Sequence, residues 1–367
     1  MTTTTTSGMA GVSMAVDNRI AEHERVADAA GGKVASFTVE HLSPLERAHR
    51  FFHANPVAAP AIVLLLALLG FSLVIGERFL DPFNLSLILQ QVTIIGILGI
   101  AQTLIILTAG IDLSVGAIMV LTSVIMGKMA VDVGMPPVVA LMAGMLAGAV
   151  TGYINGLLVT QFRLPPFIVT LGTWNIFFAL NLWYSQSETI RSKAIADTAP
   201  LLQWTGQSVE IFGARLTYGS LLMLVLFAAV WYALNRTPWG KHVYATGDDP
   251  AAANLAGIRT NRVLLSVYVV AGVICAIGAW ALIGRIGSVS PQAGMTANLD
   301  SITAVVIGGC SLFGGRGAIW GTLVGALVVG VFRNGLALAG VDVLWQEFTV
   351  GLLIIVAVGM DQWIRKV

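Results

Sequence analysis

Polar side chains set inside long apolar runs are the groups here that could do chemistry, and their types confine it to hydrogen bonding. Gln91 and Gln102 lie eleven residues apart, three turns of helix, and so share a face. Thr170, Trp174 and Asn181 are spaced four and seven apart and make a second stripe. Amides, a hydroxyl and an indole suit a polyhydroxylated solute, which needs hydrogen-bond partners and a flat apolar face to stack on. The same groups could equally bond helix to helix. Asp112, in Ala109-Gly110-Ile111-Asp112-Leu113-Ser114, is sharper. Gly110 can end one helix, and Asp112 can accept backbone N–H bonds as the cap of the next. The other reading places Asp112 and Ser114 in a substrate path or gate, because a charge at membrane depth is costly and defaults to function.

Several classes are excluded by what these runs lack. All five histidines (His23, His41, His49, His53, His242) fall outside the apolar runs, so no histidine proton relay crosses them. No run carries a pair of acidic residues, which weakens proton- or sodium-coupled transport. There is no phosphate-binding Gly-x-x-x-x-Gly-Lys-Ser/Thr loop, so any ATP would be hydrolysed elsewhere. No His-Glu-x-x-His or Gly-x-Ser-x-Gly constellation appears, and no catalytic or metal-ligating residue is assigned.

The elements that must position these groups are membrane spans. Of 367 residues 56% are hydrophobic and 11% charged, against roughly 25% charged in a soluble domain. Net charge is +1, so nothing suggests nucleic acid as a partner. Cys275 and Cys310 both lie in apolar runs and read as small buried hydrophobes rather than a disulfide or zinc site. Residues 1–55 differ in composition and read as a mostly disordered cytoplasmic tail without a secretory signal. Near its end Ser43-Pro44 can start a short helix that rests Leu45, Phe51 and Phe52 on the membrane.

Residues 56–367 form the membrane domain. Spans of roughly 20 residues are expected near 57–76, 85–108, 112–131, 137–160, 166–184, 217–234, 263–283, 298–313, 317–338 and 344–363. The expected fold is therefore all-α, about ten transmembrane helices with both termini cytoplasmic. Ten cations then fall inside and six outside, which agrees with the positive-inside bias. Gly144, Gly148, Gly152 and Gly156 recur every four residues along one helix, as do Gly317, Gly321 and Gly325 along another. Such spacing lets backbones approach closely in lipid. The segments around Leu104–Ile118 and Ala304–Ile319 echo one another, as the halves of a duplicated transporter do.

Residues 235–262 are a polar island with Arg236, Lys241, Arg259 and Arg262, enclosing Ala251-Ala252-Ala253-Asn254-Leu255-Ala256-Gly257. A small helix on a cytoplasmic loop, in a chain without a soluble domain, suits a dock for an energising protein. Residues 185–216 form the long outer loop. A stand-alone ion-coupled carrier or channel for a small polar solute is the alternative, and it would need no such dock.

ILTAGIDLSVGA (106–117), NGLLVTQFRLPPFIVTLGT (155–173), YATGDDPAAANLAGI (244–258) and SITAVVIGGCSLFGGRGAIWGTLVGA (301–326) resemble the monosaccharide permeases of bacterial ATP-binding-cassette importers, the ribose, xylose and fructose permeases. ILQQVTIIGILGIAQTLIILTAGIDLSVGAIMVL (88–121), SETIR (187–191) and WALIGRIGSVSPQAG (280–294) resemble the fructose-type members most. The likeness runs from about residue 57 to the C-terminus. It implies an inner-membrane importer permease fold and a permease pair of two like copies. It also implies a cytoplasmic ATPase that holds ATP and magnesium, no cofactor on this chain, and a periplasmic sugar-binding protein. The family's coupling motif, glutamate-alanine-alanine, three residues, then glycine, falls on Ala251, Ala252, Ala253 and Gly257, and the ATPase-coupling residues are expected to be Gly247, Asp248, Asp249, Ala252, Ala253, Leu255 and Gly257. Its glutamate stands here as Ala251, which removes a carboxylate from that position.

Overall fold

The computed structural model describes residues 57–365 apart from Met295; the expected tail and its helix at Ser43–Phe52 lie outside them. Helix α1 (Ala58–Ile75) is followed by the short α2 (Glu77–Leu80), α3 (Pro82–Leu107), α4 (Val115–Val131), α5 (Pro137–Thr160) and α6 (Pro166–Ser185). Proline at the first turn of α3, α5 and α6 starts each of them, since its missing N–H has no helical partner there anyway. The outer loop carries α7 (Ser192–Thr198), α8 (Pro200–Gln203) and an antiparallel hairpin, β1 (Ser208–Ile211) with β2 (Ala214–Thr217). The island holds two helices rather than one, α10 (Pro238–Asp248) and α11 (Pro250–Leu255), between the long α9 (Tyr218–Arg236) and α12 (Thr260–Ile286). Helices α13 (Ala297–Ile307), α14 (Ile319–Leu338) and α15 (Val343–Arg365) complete the order.

Each expected crossing coincides with a helix, with one correction. The run 298–313 is helical only to Ile307. Gly309, Gly314, Gly315 and Gly317 all take positive φ, which ends α13 and turns the chain into α14. Gly317 therefore lies in the turn rather than on a helix with Gly321 and Gly325. Among the described residues seven helices are long and apolar enough to cross a membrane, while α4 and α13 have 17 and 11 residues.

Burial separates the helices by role. From Gly96 to Leu107, α3 is buried on every side, as a helix apolar all round must be. It packs against α4, α9, α12, α13 and α14. By contrast α1 exposes Leu65, Leu66, Leu69, Leu73 and Val74. In a bilayer such leucines are already solvated.

Small residues set the closest approaches. A Cβ on Gly152 would strike the Tyr268 carbonyl, and one on Gly148 would strike the Gly272 carbonyl, so α5 and α12 touch backbone to backbone. Gly321 meets Gly308, and Gly325 meets the Ala304 carbonyl, in the same way. Polar pairs add to this packing. The Thr103 and Thr322 hydroxyls lie 2.6 Å apart, and the Asn84 and Asn334 amides bond reciprocally at 3.1 and 3.0 Å. Arg333 pairs with Asp300 at 2.8 Å and with Glu347 at 3.1 Å, tying α13, α14 and α15 together.

Candidate functional site

Between α3 and α4 the chain leaves helical geometry inside the bundle. The break comes before Gly110: α3 ends at Leu107, and Ala109, at φ 61°, is the left-handed residue. Non-helical backbone at membrane depth survives only where protein or water satisfies its polar groups, and here side chains from three helices do so. Oriented as the hydrogen-bond network requires, the Gln102 amide donates to the Asp112 carbonyl at 3.0 Å and accepts the Asp112 N–H at 3.2 Å. Thr170 on α6 accepts the Leu113 N–H at 3.1 Å, with its hydroxyl 3.1 Å from the Ile111 carbonyl. Asn298 on α13 donates to the Leu113 carbonyl at 3.2 Å.

The Asp112 carboxylate accepts both the Ser114 N–H and the Ser114 hydroxyl at 2.6 Å, and Asn155 on α5 donates to that hydroxyl at 2.8 Å. Asp112 thus holds Ser114, the N-cap residue of α4, and is not itself the cap, since no side chain accepts the first N–H groups of that helix. Thr170 and Asn155 lie four and five residues from the ends of their helices. At 1.5 Å per residue this puts the knot about 6–8 Å inside the island end of the bundle.

A second irregular segment, 287–296, runs from the hairpin end toward this knot. Val289 pairs with Ile190 through two backbone bonds of 2.9 and 3.1 Å, and Asn181 on α6 donates to the Pro291 carbonyl at 2.7 Å. One face of α6 therefore holds both irregular segments, Thr170 the first and Asn181 the second. The half-buried Trp174 lies between them along the helix.

Of the residues singled out in the sequence, Gln102, Asp112, Ser114 and Thr170 converge on this knot. Gln91 does not. It stands about 16 Å from Gln102 along α3, toward the hairpin end, where its carbonyl accepts from Arg285 at 3.4 Å. Asn155 and Asn298 are knot residues that the sequence reading missed. Asn155 does open the NGLLVT segment, and an amide in an apolar run is the signal that could have found it. The side-chain oxygens of Asn155, Asn181 and Asn298 are buried and accept no hydrogen bond from the described residues.

The island lies directly beneath. On α10, Tyr244 donates to the Gly317 carbonyl at 3.0 Å and Trp239 to the Ser266 hydroxyl at 2.9 Å. Burial pushes the Tyr244 phenol up to about 12, so it stays a neutral donor. Gly247 rests on the Leu107 carbonyl, which also accepts the Gly315 N–H at 3.0 Å. A Cβ on Gly315 would fall within 2.7 Å of Asp248. The two echoing segments, each helix–turn–helix, thus meet each other and the island at one junction. Asp249 caps α11 by accepting the Ala251 and Ala252 N–H groups at 2.8 and 3.0 Å. Ala253 is buried, Leu255 is 92% exposed, and Gly257 at φ 85° ends the segment.

Residues 84–358 match the family described as branched-chain amino acid transport system / permease component. The chain is 56% identical over 346 residues to the fructose import permease protein of Rhizobium meliloti, covering 94% of this chain and 96% of that one. It is 39% identical to the ribose import permease protein of Bacillus subtilis, over 79% of this chain and 88% of that one. The ribose import permease protein of Haemophilus influenzae is 34% identical over 83% and 92%. No solved structure matches it.

Proposed function

Since the chain belongs to this family of transport-system permease components, we propose that it is the transmembrane permease of an ATP-binding-cassette importer for a monosaccharide, fructose before ribose or xylose. The observation that carries this reading is the 56% identity to a fructose import permease across nearly the whole of both chains. The chain spans the inner membrane many times and transports rather than catalyses.

The island end faces the cytoplasm in this reading, where α11 offers Leu255 to a separate ATPase that binds ATP and magnesium. A sugar-binding protein delivers the solute at the hairpin end, and a second copy of the chain completes the route. Gln91, Gln102, Asp112, Ser114, Thr170, Trp174 and Asn181 line that route. In the present conformation most of the knot's polar groups are spent on one another. Three unpartnered amide oxygens, those of Asn155, Asn181 and Asn298, support a polyhydroxylated solute, whose hydroxyls would donate to them.

Tyr244, Trp239 and Gly247 tie α10 to the transmembrane body, so a push on α11 reaches the Leu107–Gly315 junction five residues from Asp112. Movement of the island then loosens or tightens the knot, which is the element of alternating access this chain supplies. Purification of the chain from its native host tests the assembly. The ATPase should co-elute with the wild type and be lost when 250–257 is replaced by a flexible linker. Elution of the wild-type chain alone would contradict the reading.

A further inference from the structure

A second feature lies below the knot, on the cytoplasmic side of that reading. A pocket of about 460 Å³ opens between the turn joining α5 to α6, the start of α12 and the docking helix α11. That volume is within the usual range for small-molecule sites, roughly 300–1,000 Å³. Its roof is the end of the irregular segment, Thr108 and Gly110.

Tyr268 is 1% exposed and lines this pocket, and its hydroxyl has no hydrogen-bond partner among the described residues. The hydroxyl lies beside Gly110, whose added Cβ would stand 3.3 Å from it. A buried hydroxyl is ordinarily satisfied, by protein, by water or by a ligand. Thr108, Thr160, Thr260 and Asn261 also line the pocket, the three threonine hydroxyls donating to the Ile105 and Gly156 carbonyls and the Asn254 amide oxygen and keeping acceptor capacity. Val159 and Leu264 supply an apolar wall. No carboxylate lines the pocket, so an amine or metal ion has nothing to hold it. Arg163 at the rim is one of the cations expected on a cytoplasmic face and needs no anionic ligand to explain it.

We propose that this pocket binds a neutral monosaccharide from the cytoplasm, and that sugar bound there slows further import. Pro250 and Asn254 of α11 form one wall. An occupant therefore fixes the docking helix against the ends of α5 and α12 and opposes its movement. The inference rests on the importer reading above and adds to it a brake set by the internal sugar concentration.

The test uses the complete transporter, with its ATPase and binding protein, in proteoliposomes holding ATP. Initial uptake of labelled fructose is measured while unlabelled internal fructose is raised from zero to tens of millimolar. Internal fructose should slow wild-type uptake several-fold. Tyr268→Phe keeps the ring and loses the hydroxyl, so it should raise the half-inhibiting concentration about tenfold, one hydrogen bond's worth. The exposed Asn261→Ala should move it the same way. Both variants should match wild type in vesicles without internal sugar.

No inhibition of the wild type, or equal inhibition of wild type and both variants, would overturn the proposal while leaving the importer reading intact. Inhibition by internal fructose phosphate but not by fructose would overturn it as well. Absence of uptake in empty wild-type vesicles would remove the importer reading and this inference together.

Discussion

Leu255 should be dispensable to the permease and important to its complex. It stands 92% exposed at the end of α11, two residues from the buried Ala253. Replacing it by alanine costs the isolated fold almost nothing, since there is little packing to lose and alanine favours helix. Its effect on the permease should stay within about 0.5 kcal/mol. If the ATPase covers this side chain, it buries a leucine worth about 1.5–3 kcal/mol. Losing about 2 kcal/mol weakens association roughly thirtyfold. The assay titrates purified ATPase onto the permease in nanodiscs while following the permease melting point. A thirtyfold weaker complex at an unchanged melting point is expected, and sugar uptake falls with it. Affinity within twofold of wild type would refute the docking assignment. A drop in melting point would refute the claim that Leu255 is free of the body.

Three further substitutions separate structure from pathway. Asp112→Ala strands the Ser114 N–H and hydroxyl, at about 1–3 kcal/mol each, so the melting point should fall clearly, whereas Asp112→Asn keeps the accepting oxygen and most of the stability. An alanine variant that melts like wild type yet does not transport would move Asp112 from holding Ser114 to the pathway alone. Gly152→Val drives a side chain into the Tyr268 carbonyl and should cost about 1–3 kcal/mol, while Gly172→Ala, open on all sides, should be silent; equal thermal shifts would deny the α5–α12 contact. Gln91 is half-buried and its side chain bonds nothing among the described residues, so Gln91→Ala should slow uptake several-fold at unchanged melting point; unchanged uptake removes it from the route.

The helices were legible because length and hydropathy suffice for a segment that must satisfy its own backbone in lipid. Even the 18 residues of α1 and the 27 of α12 fall close to their expected runs. The breaks were harder. Segments 108–114 and 287–296 lie at or between the ends of expected spans, yet what holds them open is tertiary: Gln102, Thr170, Asn298 and Asn181 reach in from the surrounding helices. The stripe Thr170–Trp174–Asn181 was readable as one face, yet its two polar ends serve different segments. Gln91 and Gln102 share a face too, but a shared face does not mean a shared site when three turns intervene. Gly110 looked like the helix stop because glycine most readily adopts positive φ; Ala109 takes that conformation instead, held by N–H bonds from Ala109 and Gly110 back to Ile106 and Ile105. The ladder at Gly148 and Gly152 was legible as close packing, though not its partner, since nothing in α5 alone names Gly272 and Tyr268.

Coupled transport by the reconstituted assembly is the direct measurement. The chain is reconstituted with its ATPase, labelled fructose is supplied outside on the binding protein, and ATP is sealed inside. Accumulation should require ATP and all three proteins and be indifferent to ionophores that collapse proton and sodium gradients. Fructose uptake by the chain alone that follows an ion gradient, or no fructose uptake by the full assembly, would contradict the importer reading.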